Sequence, residues 1–267
     1  MTIFKHEFNM KKKSILIWSF SLMGFLIFYM AFFPALSSDS ASFDALISSY
    51  PEEILQAVGI REGLSVGSLM GFFTLTYGML QLAVAIQSAN YGFAILSEEE
   101  RELTADFLLS KPVSRKTIYM SKFFAAFLSL LITALFISIG TFIALNVFNG
   151  GEQFETMNVV KLLFTIPVFQ LVFLSLGMFI SLLFDKIRSV LSVSMGLAIG
   201  LYVVNSIKGI IDSDVLGYIS PYNYFEAGSI LIEGDYDLKL FGVAIGVITV
   251  SLISSYILYK KRDIHSL

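Results

Sequence analysis

Charged residues along this chain fall in blocks, separated by six long uncharged stretches: Ser14–Ser38, Gly63–Ser97, Phe123–Gly151, Leu162–Phe184, Ser189–Ile207 and Leu240–Tyr259. Each reaches the ~20 residues that an α-helix needs to cross ~30 Å of hydrocarbon at ~1.5 Å per residue. Runs this long and apolar must be helical, because an open strand edge or loop in lipid leaves backbone polar groups unpaired. The pattern predicts an all-α integral membrane protein that is one transmembrane domain over 1–267. Its six transmembrane helices are expected at approximately 14–36, 66–96, 123–147, 162–184, 189–211 and 239–259.

Composition agrees: 56% of residues are hydrophobic and 15% charged, against under half and about a quarter in a soluble domain. Membrane lipid is thus an expected partner, and the net charge of −3 gives no case for nucleic acid. With no cysteine and two histidines, disulfide and thiolate chemistry are excluded and a metal site has little to draw on. The first apolar run exceeds the 7–15 residues of a signal-peptide core, so it reads as a retained helix. With a cytoplasmic amino terminus, 14 lysines and arginines fall on the cytoplasmic side and only 4 (Arg61, Lys161, Lys208 and Lys239) on the other. This bias predicts a multi-pass protein of the plasma membrane with both termini cytoplasmic.

The connecting segments carry their own patterns. Ile3, Phe4 and Phe8 share a helical face, with Lys5, Glu7 and Asn9 elsewhere. An amphipathic N-terminal helix on the inner membrane surface is expected, with lysines 11–13 adding about 1 kcal/mol each against anionic headgroups; a merely basic flank is the alternative. The external segment 37–62 has apolar periodicity at Phe43, Ile47, Ile54, Leu55 and Val58, capping-box spacing at Ser49 and Glu52, and Pro51 suited to a first turn, predicting an amphipathic helix. The external segment 212–238 reads as a re-entrant hairpin or a surface helix.

The second run, 35 residues long, would span roughly 50 Å as one helix, so part of it is expected to leave the bilayer. It also holds the densest intramembrane polarity, including Tyr77, Gln81, Gln87, Ser88 and Asn90. Tyr77, Gln81 and Ser88 fall near one face. These five residues are candidates for lining a translocation path; interhelical hydrogen bonding for packing alone is the other reading. Glycines four apart at Gly63, Gly67 and Gly71, at Gly196 and Gly200, and at Gly242 and Gly246 indicate close helix packing rather than a dimer.

The cytoplasmic segment 97–122 reads SEEERELTADFLLSKPVSRKTIYMSK. Ser97 and Glu100 have capping-box spacing and three consecutive glutamates suit the positive end of a helix dipole, so a helix is expected to start here. Leu103, Phe107 and Leu108 form its apolar side against Glu99, Glu102 and Asp106. Lys111 and Pro112 end it, and Ser114 is placed to cap a new helix entering the third crossing. Such a cytoplasmic coupling helix between crossings 2 and 3 would dock into a groove on a soluble partner or lie on the inner leaflet.

This segment resembles the signature of the ABC-2 type permeases, membrane subunits of ABC exporters, in which an acidic stretch leads into a pattern like T-x-[DE]-[FL]-L-L-S-x-P-[VI]-S-R. The match runs through Thr104, Asp106, Phe107, Leu108, Leu109, Ser110, Pro112, Val113, Ser114 and Arg115, with Leu103 where the family often has glycine. Ser220, Pro221, Tyr222, Tyr224 and Phe225 look like the family's S-P-x-x-Y-F element, so the resemblance covers the whole chain. It implies two membrane subunits, as homodimer or heterodimer, paired with two ATPase subunits. It also implies that Glu99, Glu100, Leu103, Thr104, Asp106, Phe107, Leu108, Pro112 and Arg115 couple to the ATPase. The chain has no GxxxxGK[ST] loop and no Gly-Lys pair, so a separate P-loop ATPase is expected, with ATP and magnesium held there and no cofactor on this chain.

Other classes fit less well. An intramembrane metalloprotease needs histidines within helices, and both, His6 and His265, lie near the chain ends, which also removes a base for an intramembrane serine hydrolase. An ion-driven secondary transporter usually carries a charged group inside a crossing, and none of the six runs has one. A non-transporting scaffold or sensor subunit fits the same sequence. The polar and phenylalanine-rich crossings suit an amphipathic peptide or a hydrophobic small molecule as cargo.

Overall fold

The computed structural model describes residues 2–38, 65–101, 113–184, 186–211 and 213–261, with positions 45, 47, 49–51 and 55 between the first two stretches. Among the described residues every regular element is an α-helix: α1 (Thr2–Met30), α2 (Phe33–Ser37), α3 (Leu69–Arg101), α4 (Arg115–Val147), α5 (Thr156–Ser181), α6 (Val190–Ile211), α7 (Asp214–Ile219), α8 (Pro221–Tyr224), α9 (Ala227–Glu233) and α10 (Leu238–Lys261). Six are long and apolar enough to cross a membrane, α1 with its continuation α2 counting as one. The predicted external helix within 37–62 and the predicted coupling helix lie largely outside the described residues.

Helix α3 is the hub, packed on α5, α6, α1 and α4, while α10 packs on α5. Along its Leu69–Ser97 portion only Met79 is exposed. Helices α1, α6 and α10 stand at the periphery, turning apolar side chains such as Ile17, Phe28, Val203 and Ile253 outward, as a lipid solvent permits. The closest backbone approach joins α3 and α5: a Cβ on Gly92 would lie 2.4 Å from the Leu174 carbonyl oxygen, and one on Gly177 would lie 2.8 Å from that of Ala89. The expectation that the four-spaced glycines pack within the chain is corrected at Gly196, Gly200, Gly242 and Gly246. A Cβ at any of these would meet nothing within 4 Å, because they lie on the outward faces of α6 and α10.

Three further expectations change. Residues 2–13 do not form a separate surface helix; they open α1, which runs unbroken to Met30. Nothing between Thr2 and Met30 breaks a helix. Glu7, expected off the apolar face, and Lys11, expected against lipid headgroups, are buried against neighbouring helices, and Ile3 packs beside Tyr91 and Tyr119 in an apolar cluster of helix ends, so the segment stands up in the bundle. Ser97 does not start a helix: α3 continues to Arg101 and the Ser97 hydroxyl donates to its own helix at Phe93 O, 2.6 Å away. Glutamates tolerate helix interiors well, so capping-box spacing alone does not interrupt an existing helix. Helices α4 and α5 extend beyond their apolar runs, α4 beginning at Arg115 and α5 at Thr156. Charge ended the apolar runs at Lys122 and Lys161 without ending the helices. The predicted cap at Ser114 is present, its Oγ accepting from Thr117 N at 3.2 Å.

Segment 212–238 dips back into the bundle. Its apex is anchored by three bonds: Ser220 Oγ donates to Leu201 O (3.0 Å), Tyr222 OH to Ala198 O (3.1 Å), and Gln81 Nε2 to Phe225 O (3.0 Å). Ala198 lies about 20 Å along α6 from its Ile211 end, and Gln81 about 18 Å along α3 from Leu69. The hairpin therefore returns about halfway down the helices flanking it, with α7 beside α6 and α9 against α5 and α3. Its backbone is broken into short helices, tolerated at that depth because it is enclosed by protein. At its outer end Lys161 Nζ donates to Gly234 O and Asn158 Nδ2 to Leu231 O at 3.0 Å. Tyr236 OH donates to Lys161 O at 2.8 Å; partial burial and the neighbouring Asp235 push this phenol upward from its usual range, keeping it protonated as donor. The segment thus turns back among the helices as a hairpin instead of lying across their ends.

Candidate functional site

Polar side chains gather in two places: the interior of α3, and the helix ends that flank segment 102–112 in sequence, at the close of α3 and the start of α4. In the first, Tyr77, Gln81, Gln87 and Ser88 are all buried, and Asn90 is half-buried. Helical spacing splits them. Tyr77, Gln81 and Ser88 lie on one face, where Tyr77 packs on Phe73 with ring centroids 5.8 Å apart and meets Thr165 of α5. Gln81 holds the hairpin apex, and Ser88 satisfies itself on Val84 O at 2.7 Å. Gln87 points elsewhere: its Nε2 donates to Thr133 Oγ1 of α4 at 3.0 Å, and Ser19 of α1 approaches the same oxygen at 3.5 Å. Tyr77, Gln81, Gln87 and Ser88 thus each meet a partner from their own chain, although Gln87 Oε1 and both polar atoms of the fully buried Gln170 have none among the described residues.

In the second group, Glu99 and Glu100 fall in the last turn of α3, whereas Leu103, Thr104, Asp106, Phe107, Leu108 and Pro112 lie outside the described residues. Arg115 opens α4, and its Nη1 donates to the carbonyls of Tyr259 (3.2 Å) and Lys260 (3.1 Å) in the last turn of α10. A guanidinium there satisfies otherwise unpaired end carbonyls and complements the negative end of the helix dipole. One turn on, Tyr119 OH reaches Ser255 Oγ (2.6 Å) and Leu252 O (3.2 Å) on the same helix. Around these contacts a separate apolar core gathers Tyr91, Ile95, Ile118, Tyr119, Met178 and Tyr259, so these ends of α3, α4, α5 and α10 are packed as one cluster.

Sequence reasoning missed the most buried charge in this cluster. Lys122, which in the sequence only closes segment 97–122, is fully buried and its Nζ lies 3.0 Å from Glu7 Oε1 of α1 while donating to Ile95 O of α3 at 2.9 Å. The available signal was periodic: Glu7, Lys11 and Ile15 repeat every fourth residue, opposite Lys5, Lys12 and Lys13. Lys11 also turns inward, its Nζ lying 5.8 Å from the Tyr91 ring centroid, and Tyr91 OH donates to Ser14 Oγ at 3.1 Å. Among the described residues no group of three or more histidine, cysteine, aspartate or glutamate side chains could hold a metal.

The arrangement is a packed bundle of six long apolar helices, with a hairpin folded back among them and clustered helix ends on either side of segment 102–112 in sequence. No curated protein sequence matches the chain. A family model described as ABC-2 family transporter protein matches residues 1–264, nearly the whole length, so this multi-pass membrane protein belongs to the ABC-2 family of transporter permeases.

Proposed function

We propose that the chain is the membrane-spanning subunit of an ATP-driven exporter, coupled through segment 97–122 to a separate P-loop ATPase and paired with a second permease subunit. The observation that carries this reading is the junction of α4 with α10 at Arg115 and Tyr119, just after segment 102–112 in sequence. Family membership supplies the general expectation of an ATPase partner, and Arg115 and Tyr119 tie the connector's exit to α10. Displacement of a docked connector would therefore be felt by the outer helices of the bundle and not by α4 alone. Leu103, Phe107 and Leu108 are the docking side chains in this reading, with Glu99, Glu100, Thr104, Asp106 and Pro112 shaping the element. The face of α3 from Tyr77 to Asn90 opens to cargo only when the bundle rearranges, since Tyr77, Gln81, Gln87 and Ser88 are buried within the chain. An amphipathic peptide or hydrophobic small molecule is the cargo class, and the plasma membrane with cytoplasmic termini is the setting.

The test is co-purification in mild detergent of the parent and of a Leu103→Glu, Phe107→Glu double variant that still inserts. A P-loop ATPase recovered with the parent and lost from the variant is expected. If neither protein brings one down while other membrane complexes survive extraction, the exporter reading fails.

A further inference from the structure

The Glu7–Lys122 pair occupies an unusual place. It joins three helices at one point: a carboxylate from α1, a backbone carbonyl from the last turns of α3, and an ammonium from the first turns of α4. The side chains of Lys122 and Glu7 are 1% and 9% exposed, and Lys122 lies only about 10 Å along α4 from Arg115. Ile95 and Lys122 flank the connector on either side in sequence, so both of its roots are fastened to each other and to α1. A desolvated ion pair with its third ligand satisfied is not elastic: separating the charges in an apolar surround costs far more than moving the group intact. The remaining contacts of α1 at this level, Lys11 over Tyr91 and Tyr91 to Ser14, also lead to α3.

We propose that Glu7 and Lys122 are positioning residues that bind α1 to both roots of the connector, so that α1 moves with them as one body during the transport cycle. This deepens the exporter reading and rests on it for the driving motion, but the clasp itself is a property of this chain. An N-terminal helix that would otherwise be a passive anchor becomes the element carrying displacement toward the Ser19–Thr133–Gln87 contact farther along the bundle.

Two measurements decide it. In the isolated chain, hydrogen exchange is followed for the parent, Glu7→Gln and Glu7→Asp. Exchange about tenfold faster in Glu7→Gln at 3–13, 93–97 and 115–124 together, restored by Glu7→Asp, is expected; faster exchange confined to α1, or none, overturns the proposal. Because the chain has no cysteine, spin labels can be placed at Lys13→Cys on α1 and Leu191→Cys on α6 in the complex with its ATPase. A nucleotide-dependent change in their separation that is at least halved by Glu7→Gln, with ATP hydrolysis retained, supports the clasp. An equal change in both proteins, or a parent in which α1 does not move, overturns it. If no ATPase associates at all, the exporter reading is what has failed, and the hydrogen-exchange result on the isolated chain decides the clasp alone.

Discussion

Replacing Gly92 by alanine adds a single methyl group at the point where α3 and α5 touch. That carbon would sit 2.4 Å from the Leu174 carbonyl oxygen and 3.0 Å from both Gly177 Cα and Met178 N. An ordinary contact begins near 3.4 Å, so the shortfall is about 1 Å. Every obstacle is backbone and a Cβ has no torsion to turn it aside, so α3 and α5 must separate or slide. A gap of ~0.5–1 Å forfeits a quarter to a half of the dispersion energy across the parted surface, here the contact that buries Phe93, Leu174 and Met178 completely. Overpacking of this kind costs about 1–3 kcal/mol, and about 2 kcal/mol corresponds to a drop in Tm of ~4–8 °C for a chain of this size. The assay is thermal unfolding of the purified protein in detergent, followed by the fluorescence of its one tryptophan, Trp18. Gly24→Ala on α1, where a Cβ would meet nothing within 4 Å, is the control and should stay within about 0.5 kcal/mol of the parent. Gly177→Ala should resemble Gly92→Ala, and the double variant should cost less than their sum because both relieve one contact. If Gly92→Ala unfolds at the temperature of Gly24→Ala, the close-approach argument is wrong.

Further outcomes follow from the same geometry. Lys122→Met leaves Glu7 buried without its counter-ion and should cost about 3–5 kcal/mol, whereas Lys122→Met combined with Glu7→Gln should recover most of it, in a double-variant cycle read by thermal unfolding. Tyr222→Phe keeps a ring that packs 5.4, 5.5 and 5.4 Å from those of Phe169, Phe173 and Tyr202 and loses only its bond to Ala198 O. A cost of about 1 kcal/mol is expected, against about 3–5 kcal/mol for Tyr222→Ala, with protease cleavage of the 212–238 segment rising only in the latter. Ser114→Ala removes the α4 cap and should destabilise by about 1 kcal/mol, with hydrogen exchange accelerating first at Arg115–Ile118; unchanged exchange there would show that the cap carries no weight.

The crossings were legible because lipid imposes a one-dimensional rule: about twenty residues without charge, backbone satisfied within the segment. Six helices, the all-α class, the Ser114 cap and the family signature all follow from features local in sequence. What the chain could not disclose alone was any feature whose meaning depends on a partner far along it. Charges were read as boundaries, yet Lys122 continues α4 because Glu7, 115 positions earlier, and the Ile95 carbonyl receive it. Glu7 could only be placed off the apolar face, because a single helix shows which residues share a face but not whether that face meets solvent or a neighbouring helix. The glycine spacing misled for the same reason. Small residues four apart permit close approach, but whether another helix arrives is decided by the bundle, which brings Gly92 to Gly177 and leaves Gly196 and Gly242 facing outward. The polar residues of α3 were visible as a group, and only tertiary structure gave each its errand: Gln81 to the hairpin, Gln87 to Thr133, Ser88 to its own helix. Local pattern determined which segments are helices in a membrane, since that depends on transfer from water to lipid residue by residue. Three-dimensional packing decided which charges are buried, where backbones touch and how deep the hairpin reaches, since each is a pairwise energy between segments whose separation in sequence carries no information about their distance in space.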